Sequence, residues 1–184
     1  MARLAAGNDA ALNELMARHS QRLFCYLVRI LANETDADDL AQETFVRVFQ
    51  NRARFRPSAK FSTWLFAIAT NLTRDRLRWR ARHPHVSVEA DESDPERGLK
   101  HTLAASDPSP AENLEAGERA AAVRRAVAEL PEELRVPLVL AEYEEQSQAE
   151  IAGVLACSPK AVEMRIYRAR QELRRTLSKW LKTS

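Results

Sequence analysis

Cysteine and glycine are scarce: two of the former, Cys25 and Cys157, and four of the latter in 184 residues. Neither cysteine belongs to a CxxC pair or has a histidine close by, which argues against a zinc site or a disulfide framework and for two small apolar side chains. No glycine-rich phosphate loop is present, and His19, His83, His85 and His101 show no paired spacing, so catalysis has no candidate apparatus. No cofactor is called for. No stretch alternates apolar and polar residues long enough to read as a strand. Nor does any apolar run approach the ~18 residues of a membrane helix, or a signal-peptide pattern open the chain. The expectation is a cytosolic, all-helical protein.

What is present is a globular composition, 45% hydrophobic and 29% charged, with a net charge of only +2. That small sum hides blocks. Residues 45–82 carry ten bases and one acid, residues 84–119 three bases and nine acids, and residues 160–184 eight bases and two acids. Two basic blocks are thus separated by an acidic spacer. The first centres on FSTWLFAIATNLTRDRLRWRAR, from Phe61 to Arg82, where Trp64, Leu65, Ile68, Leu72 and Trp79 recur at helical spacing and Ser62 or Thr63 is placed to cap the start. Its second half is one-signed: Arg74, Arg78 and Arg82 form one line, and Arg76 and Arg80 a neighbouring one. Little nearby neutralises them, which points to a phosphate-binding surface in place of a merely solvated face.

Upstream, a helical stripe runs through Leu12, Leu15, Met16, Leu23, Tyr26, Leu27, Ile30 and Leu31, with Asn8 and Asp9 as cap candidates. A turn at Asn33 to Thr35, with Thr35 and Asp38 at capping-box spacing, leads into a helix over residues 36–51 that buries Leu40, Ala41, Phe45, Val48 and Phe49. Acids in its first turn complement the helix dipole, but Gln42 and Glu43 lie beyond that reach, and an acidic face on a basic protein fits a protein partner. Phe55 stands alone in the basic loop 52–60, either to close the core or to stack on an unpaired base. Asn71 falls seven residues after Trp64, on the apolar face, where a polar group needs a partner: a backbone group or a ligand.

Residues 84–115 are acidic, with DPSP at 107–110 and no apolar periodicity, and read as a flexible linker. Helical pattern resumes from Glu112 to Leu130 and again after Pro131, with Pro137 expected to kink or divide the segment VPLVL. SQAEIAGVLA then reads as a short helix and CSPK as a tight turn, with Ser158 placed to cap and Pro159 at the first helical position. A last helix follows, with Val162, Ile166, Ala169, Leu173 and Leu177 inward. Two helices, a tight turn and an exposed basic second helix make a helix-turn-helix. Ala156 occupies the turn position where glycine often supplies a positive φ.

Taken together, TDADDLAQETFVRVF, KFSTWLFAIATNLTRDRLR, LPEELR and SQAEIAGVLACSPKAVEMRIYRARQELR resemble, in the family's order and over nearly the whole chain, an extracytoplasmic-function (ECF) RNA polymerase sigma factor of the sigma-70 superfamily. The resemblance implies an all-α fold of two small helical domains: a region 2-like bundle over 1–83, the linker at 84–115, and a region 4-like helix-turn-helix over 116–184. It implies that Asp36, Asp39, Gln42, Glu43 and Phe45 dock on the clamp helices of the polymerase largest subunit, with the flap as a second contact. Phe55 and the Phe61–Arg82 helix match the segment that opens and reads the −10 element. Asn71 matches the position around the captured base, and Arg47 and Asn51 lie in the same surface. Arg74 and Arg78 would hold phosphates. The helix from Lys160 matches the −35 reader, with Glu163, Met164, Arg165, Tyr167 and Arg168 as its exposed residues. In the major groove, Arg165 or Lys160 can read guanine and Glu163 can accept from cytosine. Glu163 and Met164 depart from the Arg and Ser of some relatives, so a promoter preference does not carry over. Family members are usually held by an anti-sigma factor, often membrane-bound, so the expected location is the bacterial cytoplasm or the membrane face.

Two other functions compete. An autonomous helix-turn-helix regulator explains residues 146–175 but leaves the Trp64–Arg82 helix and the acidic face without roles. An RNA-binding adaptor suits the basic helices, yet no RNA-binding module is recognisable.

Overall fold

The computed structural model describes residues 1–83 and 110–178, with the side chains of 110–115 excepted. Its helices are α1 (Ala2–Ala5), α2 (Ala10–Leu31), α3 (Glu34–Gln50), α4 (Phe61–Arg82), α5 (Pro110–Glu129), α6 (Glu132–Glu142), α7 (Gln148–Leu155) and α8 (Pro159–Thr176), with a 3-10 turn at Arg52–Arg54. No strand occurs among the described residues. The family expectation of two helical units is borne out: α1–α4 form one and α5–α8 the other. Most of the expected linker lies outside the described residues. Its end does not, since α5 begins at Pro110.

In the N-terminal unit, Leu23, Tyr26, Leu27 and Ile30 of α2 are fully buried with Val48 of α3 and Ala69 of α4. Each large side chain so buried contributes roughly 1.5–3 kcal/mol. Met16, expected inside, is exposed, while Ala11 takes the buried place near the start of α2. The stripe of α4 is also rotated from the one read in the sequence. Leu65, Phe66, Ala69, Thr70, Leu72 and Thr73 are buried, and Trp79 is exposed. The threonines bury because they are satisfied: Thr70 shares a 2.8 Å hydrogen bond with the Tyr26 hydroxyl, and Thr73 donates to the Ala69 carbonyl at 2.8 Å. Burial pushes the Tyr26 phenol well above its ordinary range, so it is a neutral core group.

Several start signals shift. Asn33, not Thr35, caps α3 by accepting from the Asp36 amide at 2.7 Å. Neither Ser62 nor Thr63 caps α4, whose flanking residue is Lys60. Asp9 flanks α2 without a side-chain cap bond. Pro137 neither divides nor ends α6. It is the sixth residue of this 11-residue helix, and the helix continues through it because the residue whose carbonyl loses its donor, Glu133, is exposed to water.

The C-terminal unit follows its sequence closely. Ser147 and Glu150 form a reciprocal capping box at α7, and Ser158 caps α8 by accepting from the Ala161 amide at 3.2 Å. Ala156 takes the left-handed conformation (φ 50°) that the turn requires. Val162, Ile166 and Ala169 are buried against the preceding helices. The two units are not separate bodies: one contiguous apolar cluster runs through both, with α7 against α4 and α6 against α2.

Candidate nucleic-acid interface

Five arginines on one helix demand counter-charge, and the fold brings it from distant segments. Arg76 donates to Asp36 at 2.7 Å, and Arg80 bonds the other oxygen of the same carboxylate. Arg74 donates to Glu132 of the C-terminal unit at 2.9 Å. Arg78 and Arg82 remain exposed; among the described residues Arg78 has Asp75 as its ion-pair partner, at 3.6 Å. The unbroken one-sign surface expected from sequence is therefore reduced to the end of the helix, because its neutralising acids lie 40 and 58 residues away.

Between the end of α3 and the middle of α4 is a cavity of about 280 Å³, which gathers Arg47, Asn51, Trp64, Ile68 and Asn71. The chain builds this by letting α3 end at Asn51, whose side-chain amide donates to the Arg47 carbonyl at 3.0 Å. Asn71 is exposed, contrary to its expected place on the buried face, and its amide has no hydrogen-bond partner among the described residues. Its polar group therefore requires no internal satisfaction and is free for a ligand. Arg54 and Trp64 also line the cavity and were not singled out as site residues. The repeated spacing of Trp64 in a basic, aromatic-bearing stretch was the available signal.

Phe55 is not isolated. Its ring lies 5.3 Å from Trp64 and 6.4 Å from Phe61, so it supports the wall of the cavity through Trp64. A larger groove of about 980 Å³ continues along α3 and α4, past Arg47, Arg78, Trp79 and Arg82, where Trp79 stacks on His83 at 4.8 Å.

The acidic face of α3 is smaller than expected. Asp39 and Gln42 are exposed, Asp38 accepts from Gln42 at 2.9 Å, and Glu43 pairs with Arg47 at 2.7 Å. Phe45, at 4% exposure, belongs to the core and presents nothing to a partner. Asp36 is turned inward onto Arg76 and Arg80. Both are removed from the accessible surface: an aromatic ring at that register fills the bundle, and a half-buried carboxylate serves two guanidiniums.

On α8, Lys160, Glu163, Met164, Tyr167 and Arg168 are exposed, with Met164 at 42% and Tyr167 at 54%. Arg165 is half-buried, its guanidinium 3.9 Å from the Cys157 sulfur. Lys160 reaches both carboxylate oxygens of Glu163, at 3.1 and 3.0 Å, so these two charges answer one another. Elsewhere, hydrogen bonds from Lys60 and from Ser147 hold the Glu150 carboxyl down to about 2. Burial and the nearby Arg22 and Arg18 charges hold the His19 imidazole below its usual value. No group of residues among those described has the makings of a metal site.

Residues 15–83 match the family model of Sigma-70 region 2, and residues 120–173 that of Sigma-70 region 4. Similar sequences include the ECF RNA polymerase sigma factor SigE of Mycolicibacterium smegmatis, 36% identical over 95% of this chain and 66% of the relative. The RNA polymerase sigma-H factor of Pseudomonas aeruginosa is 32% identical over 98% of this chain and 93% of its own length. SigW of Bacillus subtilis, an ECF RNA polymerase sigma factor, is 31% identical over 93% and 91% respectively. Among solved structures, CnrH in complex with the cytosolic domain of CnrY superposes with a TM-score of 0.65 at 31% identity, covering 97% of this chain and 94% of that one. The sigma factor RpoE bound to the anti-sigma factor NepR from Bartonella quintana shares the fold, with a TM-score of 0.68 at 20% identity over 90% of this chain and 96% of that one.

Proposed function

We infer the roles of these surfaces from what the chain is: it belongs to the ECF family of RNA polymerase sigma factors. It is an alternative sigma factor that binds core RNA polymerase and directs it to promoters. Its work is binding, not catalysis.

The cavity carries the assignment of the −10 site. Arg47 and Asn51 come from the end of α3 and Asn71 from α4, and all three line one hollow together with Trp64, which supports this reading. Unstacking a base costs a few kcal/mol, so an opened strand is held only if a flipped base finds hydrogen bonds and an aromatic or apolar wall in a pocket. The Asn71 amide, unpartnered and exposed, can meet a base edge, while Trp64 supplies the wall. Arg78 and Arg82 line the adjoining groove, where they can take the phosphates of the same strand. Phe55 acts behind Trp64 and does not itself stack on the base.

The remnant of the acidic face, exposed Asp39 and Gln42 with the half-buried Glu43 beside them, supports docking on the clamp helices of the polymerase largest subunit; the flap is the corresponding partner of the C-terminal unit. The −35 duplex is read by α8. Lys160 and Glu163 already satisfy each other there, so Met164 and Tyr167 dominate the exposed face and favour apolar contact with a thymine methyl. Arg168 is available for a phosphate. An anti-sigma factor is the natural repressor, by analogy with the complexes of similar folds. None of the described helices is long and apolar enough to cross a membrane, and we place the protein in the cytoplasm, at the membrane face when such a factor is anchored there.

The test is run-off transcription with core RNA polymerase on a randomised promoter library, with and without the protein. Protein-dependent transcripts sharing a pair of upstream motifs support the assignment. Duplex binding by the protein alone, without initiation, would replace it with an autonomous regulator.

A further inference from the structure

Asp75 is the one acid of α4, set among five arginines, and among the described residues its charge is weakly answered. Arg74 is taken by Glu132, Arg76 by Asp36 and Arg47 by Glu43. Arg78 lies 3.6 Å from the Asp75 carboxylate, but the two side chains are 70% and 76% exposed, and a pair so open to water contributes little. Holding the helix together therefore does not account for this acid. Its place does more. Asp75 lines both the hollow that contains Asn71 and the groove that contains Arg78 and Arg82, and the two spaces join at Arg47, Leu72 and Asp75. It follows Asn71 by four residues, so their Cβ atoms are about 5–6 Å apart on one face of the helix. At that separation two side chains can meet the edge of a single base. For affinity alone the acid is a liability, because a carboxylate repels the phosphates that the neighbouring arginines attract.

We propose that Asp75 selects the captured base, admitting adenine, cytosine or guanine and rejecting thymine, a role that rests on the −10 assignment of the hollow. A carboxylate accepts hydrogen bonds and donates none. A flipped base is read on its Watson–Crick edge. Adenine offers its N6 amino group there, cytosine its N4 amino group, and guanine both its N1–H and its N2 amino group. Thymine offers one N3–H between two carbonyl oxygens, and those oxygens would meet the carboxylate with like partial charge. Asn71 makes this distinction poorly, because its amide both donates and accepts. The acid steers the backbone as well. Phosphates are repelled from Asp75 and drawn to Arg78 and Arg82, which leaves the bases to turn toward the hollow. Affinity lost to the acid is exchanged for discrimination.

The experiment starts from a promoter selected by polymerase holoenzyme that carries the wild-type protein. Each −10 position of the non-template strand is replaced by all four bases and by an abasic nucleotide. Open-complex formation is then measured for the wild type, Asn71→Ala, Asp75→Asn and Arg78→Ala. The captured position is the one where loss of the base costs the wild type markedly more than Asn71→Ala. There the wild type is expected to open about tenfold less well with thymine than with the best amino-bearing base, within what one base contact supplies. Asp75→Asn, whose amide can donate to a thymine oxygen, is expected to abolish that bias. Its preferences at other positions and its melting temperature should not change, since Asp75 is exposed. Arg78→Ala is expected to weaken every base variant alike, because a phosphate contact carries no sequence. Thymine accepted by the wild type at the captured position, or a bias that persists in Asp75→Asn, overturns the proposal. A bias lost equally in Arg78→Ala overturns it too, because Asp75 would then act only by placing Arg78. If Asn71→Ala matches the wild type at every abasic position, the −10 assignment of the hollow falls and takes the role of Asp75 with it. If the wild type initiates nowhere, the sigma-factor reading itself falls, and this proposal with it.

Discussion

Asp36 at the start of α3 accepts from Arg76 near the end of α4 at 2.7 Å and bonds Arg80 with its other oxygen. One carboxylate, 13% exposed, thus binds two guanidiniums one helical turn apart and ties the helix ends together. The five-arginine helix is tolerable in a small bundle because of such ties. Asp36→Ala would leave two like charges side by side with no counter-ion, at a cost of about 1–3 kcal/mol. A lower urea midpoint with an unchanged slope would show it. An unshifted midpoint would mean that water satisfies both arginines.

Asp39 lies one turn along the same helix and faces solvent. Asp39→Arg is therefore expected to leave stability within about 0.5 kcal/mol, since nothing folds against it. Affinity for core polymerase should fall about tenfold, ~1.4 kcal/mol, through charge reversal at a docking surface. The two aspartates separate a structural acid from a recognition acid. Titration of labelled protein with core enzyme decides whether Asp39 belongs to the docking face.

Asn71→Ala tests the cavity. The side chain is exposed and without a hydrogen-bond partner among the described residues, so its removal should not lower the melting temperature. Loss of one or two hydrogen bonds to a captured base would cost about 1–2 kcal/mol, or roughly five- to thirtyfold in open-complex formation. Polymerase binding should be unchanged. Permanganate reactivity of unpaired thymines at the −10 element reads the opening directly, and normal reactivity in the variant would move the captured base elsewhere.

Local chemistry was legible in the sequence, and distant pairing was not. The Ser158 cap, Pro159 at the first turn and the strained Ala156 are short-range signals within one turn of each other, and the structure keeps all three. The apolar face of α4 was misplaced because Thr70 and Thr73 count as polar until Tyr26 and the Ala69 carbonyl are seen to satisfy them. Asn71 moved to the wet side by the same rotation. Asp36 and Phe45 lie in the right motif, but a motif does not say which of its residues face inward. The Arg22–Glu144 contact spans 122 residues and leaves no local pattern at all.

Glu150 gives the stability an acid limb. Its carboxyl is held at about 2 in the fold, against 4.5 for the free group, by Lys60 and by both the hydroxyl and the amide of Ser147. A depressed carboxylate contributes stability that is fully present above 4.5 and is lost as pH falls through about 2. Stability of the wild type should therefore decline over that window, and Glu150→Gln, which does not titrate there, should show a shallower decline. Urea unfolding at a series of pH values measures both slopes. Parallel slopes would mean that the Ser147 cap and Lys60 prefer the charged carboxylate no more in the fold than in the unfolded chain.

Met164 and Tyr167 are one turn apart on α8 and are the large apolar groups it exposes near its start. Lys160 and Glu163 neutralise each other on the same stretch, so hydrogen-bond readout there requires breaking their pair first. Apolar contact with a thymine methyl requires no such rupture. Replacing thymine by uracil removes only that methyl, and its loss from a closed contact is worth about 0.8 kcal/mol, roughly fourfold in affinity. We expect uracil scanning of a −35 duplex bound by the polymerase holoenzyme to find one or two such sensitive positions. Met164→Ala should abolish the difference at one of them while leaving affinity for the uracil duplex nearly unchanged, which a general loss of folding would not do. Equal binding at every position would instead assign −35 readout to Arg165 and Lys160 and require the Lys160–Glu163 pair to open on DNA.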